Sequence, residues 1–381
     1  MIGEEIVAKE QHAVEQDTAE IAVLEEEQFE LFQTDQFTNN SVEDWNIVDA
    51  LWRVLRDAGE LDQHNSLILA ELEIAYYRCL FDIALEKANY LIEHAEAPIA
   101  MYSRAMRMII MTANGNGEEA YRDLLVLKDI CKKGLAQRDD IQLFSASVIS
   151  ALRIESVLMA SVFDLPDITE GIDEIPTGLK LYFGYLLAMR LLRLGRYKEA
   201  YGMAFSYLTI ITAHFPSPRT YLYCVAASAK MLMGDVDRAR THFNMAWKLK
   251  EEHNIIMPFI ELNYALLGLP RVNREELAAP EEVRRVDALI SSFRKGWFYL
   301  RRKCGLSSKS EPLTPLECYA SSLAALGWRN KEIAKHLLLS ESTVKHQLSS
   351  AYQKLNISSR SELQKLYRTP PKKVQDFAPW V

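Results

Sequence analysis

From residue 41 to residue 299, apolar side chains recur three and four positions apart, and the apolar–polar alternation of a strand is nearly absent. That spacing puts them on one face of a 3.6-residue helix, so the pattern predicts a run of amphipathic helices and no sheet. The acidic, proline-bearing FDLPDITEGIDEIPTG, residues 163–178, predicts a loop. GLPRVNREELAAPEEVRR, residues 268–285, predicts a second break, with helix resuming over residues 286–302. The Gly, Ser and Pro content after residue 302 predicts a linker over 303–312, and four shorter helical patterns follow it.

Within the long helical region four segments share a signature, a small or turn residue followed five positions later by alanine: Cys79 and Ala84, Gly115 and Ala120, Gly195 and Ala200, Gly234 and Ala239. The alanines lie 36, 80 and 39 residues apart, which predicts a degenerate copy between Ala120 and Ala200. A recurrence of roughly 40 residues marks helix-pair repeats, in which a tight turn favours glycine and alanine lets the partner helix approach. One copy, LLRLGRYKEAYGMAF, resembles the tetratricopeptide repeat at Leu191, Leu194, Gly195, Tyr197, Ala200 and, one place late, Phe205. Phe81 and Val236 replace the tyrosine elsewhere, and the period exceeds the ~34 residues of the standard repeat. The resemblance implies a loose tetratricopeptide-like array over residues 41–302, serving as a sensor or docking domain.

The four short patterns after the linker read as a small helical domain over residues 313–368. Thr314 caps the first, with Pro315 at the first helical position, and Gly327 ends it. The second begins at Asn330, and Ser340 is available to cap the third. In the third, Val344, Leu348, Ala351 and Leu355 form one apolar stripe, which can pack on Ile333, Ala334 and Leu337 of the second. The opposite face carries Ser342, Lys345, His346, Ser349 and Gln353, side chains able to donate to base edges and phosphates in a major groove.

The window LTPLECYASSLAALGWRNKEIAKHLLLSESTVKHQLSSAYQKLNISSRSEL resembles the four-helix LuxR type of DNA-binding domain, also called the GerE or FixJ type, over roughly residues 311–368. The family usually has Arg at Leu316, Glu at Tyr319, His at Gln347, Asn at Ser350 and Gly at Asn356. The resemblance implies a bacterial transcription regulator with an all-α fold, a helical-repeat array followed by a helix-turn-helix domain. Lys345, His346 and Ser349, flanked by Ser342 and Gln353, would face bases of double-stranded DNA. Thr343, Lys354, Lys331 and Arg329 would lie nearer phosphates. In this family the last helix commonly pairs two domains, which implies Leu363, Leu366 and Tyr367 in a homodimer on an inverted repeat with half-sites about one helical turn apart; the alternative is that they close the domain's own core. RNA polymerase and a small-molecule, peptide or protein effector of the array are further implied partners. The alternative is a scaffold or adaptor whose C-terminal domain makes only protein contacts.

Charge sharpens this picture. The chain of 381 residues has a formal charge of −8, but residues 1–45 carry thirteen Asp or Glu against Lys9 alone, whereas residues 313–373 carry ten Lys or Arg against four Glu. A solvated acidic extension over residues 1–40 is expected, and one able to compete with DNA for the basic face; residues 369–381 read as a tail.

Candidate chemistry changes little. The sequence has no G-x-x-x-x-G-K-[ST] and no alternation of strands and helices for a phosphate-accepting domain. Its five cysteines form no C-x-x-C, and its histidines, His94, His214 and His242 among them, lack ligand spacing. No catalytic residue, cofactor or metal site is expected. Without a basic, apolar leader or a membrane-length apolar run, a cytoplasmic protein off the membrane is expected. The aromatics Tyr182, Phe183, Tyr185, Tyr201, Phe205, Tyr207, Tyr221 and Tyr223 are expected mostly in the core, with a minority on an inner groove.

Overall fold

The computed structural model describes residues 63–165, 177–211, 215–270, 280–306 and 313–368, which fall in one compact unit. The acidic extension, the tail, His214 and the middles of both predicted breaks lie outside the described residues. There is no strand among the described residues, and the fold is all-α.

Eleven described helices precede the linker: α1 (Gln63–Tyr77), α2 (Phe81–His94), α3 (Ala97–Ala113), α4 (Gly117–Ala136), α5 (Ile141–Leu158), α6 (Thr177–Arg193), α7 (Tyr197–Ile210), α8 (Pro216–Leu232), α9 (Val236–His253), α10 (Met257–Glu261) and α11 (Pro280–Lys303). Four follow it: α12 (Pro315–Ala325), α13 (Asn330–Leu337), α14 (Glu341–Leu355) and α15 (Arg360–Arg368).

One turn joins α1 to α2, α3 to α4, α6 to α7 and α8 to α9. Cys79, Gly115, Gly195 and Gly234 take left-handed backbone (φ 58°, 76°, 73° and 82°). In each case the next amide donates to the carbonyl five residues back: Leu80 to Ala75, Asn116 to Met111, Arg196 to Leu191, Asp235 to Lys230. This Schellman closure satisfies carbonyls that a helix end leaves free, and glycine adopts it without steric penalty. Ala84, Ala120, Ala200 and Ala239 are each 0% exposed where the second helix of the pair meets its neighbours. The same closure lies in the gap of 80 residues, at Met159 (φ 52°), where Ala160 donates to the Glu155 carbonyl, and also at Asn254 and Gly305, outside the alanine signature. The Met159 turn leads from α5 into the non-helical residues 160–165, not directly into a second helix.

Two boundaries differ from expectation. Helix α11 begins at Pro280, six residues before the position read from apolar spacing, because proline suits a first helical position where no N–H is needed. Helix α6 takes in Thr177 and Gly178, the last two residues of the expected loop.

The inner faces of α1, α5, α6 and α8 meet around Arg153, whose guanidinium grips Glu261 in two parallel bonds of 2.6 and 2.7 Å. It also donates to the hydroxyls of Tyr76, Tyr185 and Tyr221. Helix α10 thereby sits against α1 and α8, while α11 packs on α3 and α4. Tyr182, Phe183, Tyr185 and Tyr221 are buried in this core, Tyr201, Tyr207 and Tyr223 are half-buried, and Phe205 is exposed. Side chains of the chain itself thus occupy the space these inner aromatics face. The end of α5 is held from two sides: Arg193 and Trp297 donate to the carbonyls of Glu155 and Val157 at 2.8 and 2.7 Å, and Arg301 donates to that of Leu158. Cationic donors there complement the helix dipole. All five cysteines are free thiols.

Candidate nucleic-acid interface

Local sequence fixes each helix of the C-terminal domain. Thr314 and Glu317 form a capping box on α12: the Thr314 hydroxyl accepts from the Glu317 amide at 3.2 Å, and the Glu317 carboxylate accepts from the Thr314 amide at 2.5 Å. Gly327 (φ 96°) ends that helix region, and Trp328 closes it by donating to the Leu323 carbonyl. Glu332 reaches back to the Arg329 amide at 2.7 Å to start α13. The turn between α13 and α14 needs only Leu338 (φ 54°), Leu339 and Ser340, whose hydroxyl accepts from the Thr343 amide at 3.0 Å. Asn356, where the family usually has glycine, is left-handed at φ 54° and ends α14; asparagine is among the residues that best tolerate this conformation.

Packing then decides what α14 presents. Val344, Leu348, Ala351 and Leu355 are all buried, as are Ile333, Ala334 and Leu337 of α13. On the other face Ser342, Lys345, His346, Ser349 and Gln353 are exposed together. Lys331 is exposed on α13, and Thr343 is half-buried at the start of α14. Arg329 is exposed but held by Glu332 at 2.6 Å.

Two expected site residues make contacts within the domain. Lys354 lies 3.0 Å from Glu317 with its side chain 16% exposed, so it ties α14 to α12. Leu363 is 0% exposed, as expected of a side chain that closes the domain's own core. Of the other dimer candidates, Leu366 is 38% exposed, and the side chain of Tyr367 lies outside the described residues.

The organising residue that sequence reading passed over is Glu317. Its carboxylate takes the Ser350 hydroxyl at 2.6 Å as well as Lys354 and the Thr314 amide. Burial pushes this carboxyl up, but those hydrogen bonds prevail and hold it below the ordinary carboxylate value. Ser350, a departure from the family pattern, is thus a positioning residue for α14. Arg360 performs the matching task for α15, donating to the Trp328 carbonyl at 2.8 Å and to Asn330 Oδ1 at 2.6 Å. The Thr-x-x-Glu spacing was the available signal for Glu317.

His94 is exposed and stacks on Tyr90, and His242 is half-buried among Tyr201, Phe205 and Tyr223. Among the described residues no group of three or more His, Cys, Asp or Glu is placed to hold a metal ion, and no helix is long and apolar enough to cross a membrane.

Residues 311–366 match the family described as "Bacterial regulatory proteins, luxR family". The match makes this segment a LuxR-family helix-turn-helix domain and supports a DNA-binding transcription regulator. Comparison with curated proteins and with solved structures gave no match.

Proposed function

We propose that this chain is a bacterial, cytoplasmic transcription regulator that reads double-stranded DNA by laying α14 in the major groove. The observation that carries the reading is the single exposed face of Ser342, Lys345, His346, Ser349 and Gln353 on a helix whose opposite stripe is buried. Lys345, His346 and Ser349 meet base edges, while Thr343, Lys331 and Arg329 approach phosphates. Leu366 and Tyr367 contribute to a homodimer on an inverted repeat. The preceding helices act as a tetratricopeptide-like array that takes a small-molecule, peptide or protein effector and shifts the population of DNA-competent domains, with RNA polymerase as a further partner. The left-handed turns recurring at Cys79, Gly115, Met159, Gly195 and Gly234 support the repeat reading.

Selection of random duplex DNA by the full-length protein, followed by sequencing, tests this directly. An inverted repeat of fixed spacing is the expected product, and Lys345→Ala should relax the motif at one position of each half-site while leaving the fold intact. Retention of the same motif by Lys345→Ala would move the α14 face out of its assigned role. A scaffold is the second reading, favoured by the exposed apolar side chains Phe205, Ile210 and Met245 on α7 and α9. It requires that no duplex be selected.

A further inference from the structure

The LuxR-type domain is docked on the array through residues 263–268. The Tyr319 hydroxyl on α12 donates to Asn263 Oδ1, and His336 Nε2 on α13 donates to the Leu267 carbonyl at 3.1 Å. Gly268 (φ 85°) lies so close to α13 that a Cβ there would stand 2.5 Å from Leu337 Cδ2. Cys318 is 0% exposed and lies near Tyr264. All residues from Glu317 to Ala325 are buried, although a surface helix of a free domain would bury only one face. Tyr319 matters particularly, since it stands where the family usually has a glutamate, which when ionised could not donate to Asn263. The docking leaves the DNA-facing residues of α14 exposed.

The same short segment reaches the other way. Two residues before Asn263, Glu261 carries both bonds from Arg153 in the middle of the array. Leu267 and Gly268, consecutive left-handed residues (φ 48° and 85°), follow. A leucine in that conformation is uncommon and strained, so the segment is held there by its two attachments. From Asn263 the contacts continue through Tyr319 to α12, whose Glu317 holds Ser350 and Lys354 of α14.

We propose that residues 257–268 form a joint coupling the array core to the C-terminal domain: the Arg153–Glu261 grip sets α10, α10 sets Asn263 and the Leu267 carbonyl, and these hold α12 and α13 in one docked orientation with α14 presented outward. An effector that loosens the grip releases the domain onto its linker, which changes how α14 is offered to DNA. The DNA half of this inference rests on the function proposed above; the docking half does not.

Cys318 is a built-in probe, because its thiol becomes reachable only when the domain leaves the array. In the full-length protein its modification by N-ethylmaleimide, followed by peptide mass spectrometry, is compared with that of Cys131, 0% exposed in α4. Tyr319→Phe removes only the hydroxyl, Gly268→Val wedges the interface, and Glu261→Gln acts from the core. In Tyr319→Phe and Gly268→Val Cys318 should react about tenfold faster than in the parent, equivalent to ~1.4 kcal/mol of docking free energy, with Cys131 unchanged; in Glu261→Gln, which also weakens the core, Cys318 should accelerate by about that factor beyond any change at Cys131. An unchanged Cys318 rate in Glu261→Gln, or Cys131 accelerating in step with Cys318, overturns the joint. With the selected duplex, Glu261→Gln should bind more weakly. A parent protein that selects no duplex overturns the DNA reading alone, while the thiol rates still decide the joint.

Discussion

Ser350 in α14 donates its hydroxyl proton to Glu317 Oε1 in α12 at 2.6 Å, so the first and third helices of the domain share one buried carboxylate. Glu317→Ala removes the capping box and leaves Lys354 and Ser350 without that acceptor. A loss on the order of 2–3 kcal/mol is expected, against about 1 kcal/mol for Ser350→Ala. Because the folded-state value of this carboxyl is depressed, its contribution is present above the ordinary carboxylate value of 4.5 and is lost as pH falls through the lower folded value. Urea unfolding at pH 7 and pH 4 checks both statements. Equal stability of Glu317→Ala and parent at pH 7 would remove Glu317 from this role.

Lys345 and Lys331 are both exposed, yet different tasks are assigned to them. Replacing a base-reading side chain costs about 1–3 kcal/mol and relaxes specificity at one position, whereas losing a phosphate contact weakens every sequence alike and lowers the salt slope by about one. Lys345→Ala should therefore show the first behaviour and Lys331→Ala the second. Affinities for the selected site and a scrambled duplex, each across a salt series, separate them. A uniform loss for Lys345→Ala would reassign it to the backbone.

Among the helices that precede residue 303, Glu73 is buried and accepts the Tyr102 hydroxyl at 2.6 Å. Burial pushes its carboxyl up to about 7, with the Tyr102 bond and Arg153 opposing incompletely. A carboxyl raised in the folded state is neutral there while the unfolded chain already ionises it. Its stabilising share is thus complete below 4.5 and lost as pH rises through about 7. The change is on the order of 3 kcal/mol. Glu73→Gln keeps an acceptor for Tyr102 and should flatten stability between pH 5 and 8 on the scale of that window. Persistence of the parent's slope in Glu73→Gln would place the titrating group elsewhere.

How much of this was legible in the sequence depends on the range of the contact. The apolar stripe Val344, Leu348, Ala351 and Leu355, the cap at Ser340 and the turn signatures at Gly115, Gly195 and Gly234 are all local, and the structure places each where the spacing put it. The Glu317 partner of Lys354 and the burial of Leu363 were not legible, because periodicity gives a face but not the neighbour that covers it. The start of α11 was missed because four of the five residues between Pro280 and Val286 are charged, leaving Val283 alone to carry the apolar spacing. Arg153, Glu261, Asn263 and His336 were invisible for a different reason: their partners are 56 to 108 residues away in sequence, and a single buried arginine carries no motif. Tyr319 was visible only as a departure from a pattern, and its hydroxyl found a partner outside the domain.

The Arg153–Glu261 pair provides the severest test of the helical core that precedes the C-terminal domain. Both side chains are 1% exposed, and the guanidinium also donates to three tyrosine hydroxyls. Removing one partner leaves an uncompensated buried charge, so Glu261→Leu and Arg153→Met should each cost roughly 3–5 kcal/mol. Removing both takes the charges away together, and the double variant should be more stable than the sum of the single losses predicts. Denaturant midpoints and slopes of the four full-length proteins close this cycle. Strictly additive losses would mean that the two side chains do not depend on each other, and that α10 is held to α5 by packing alone.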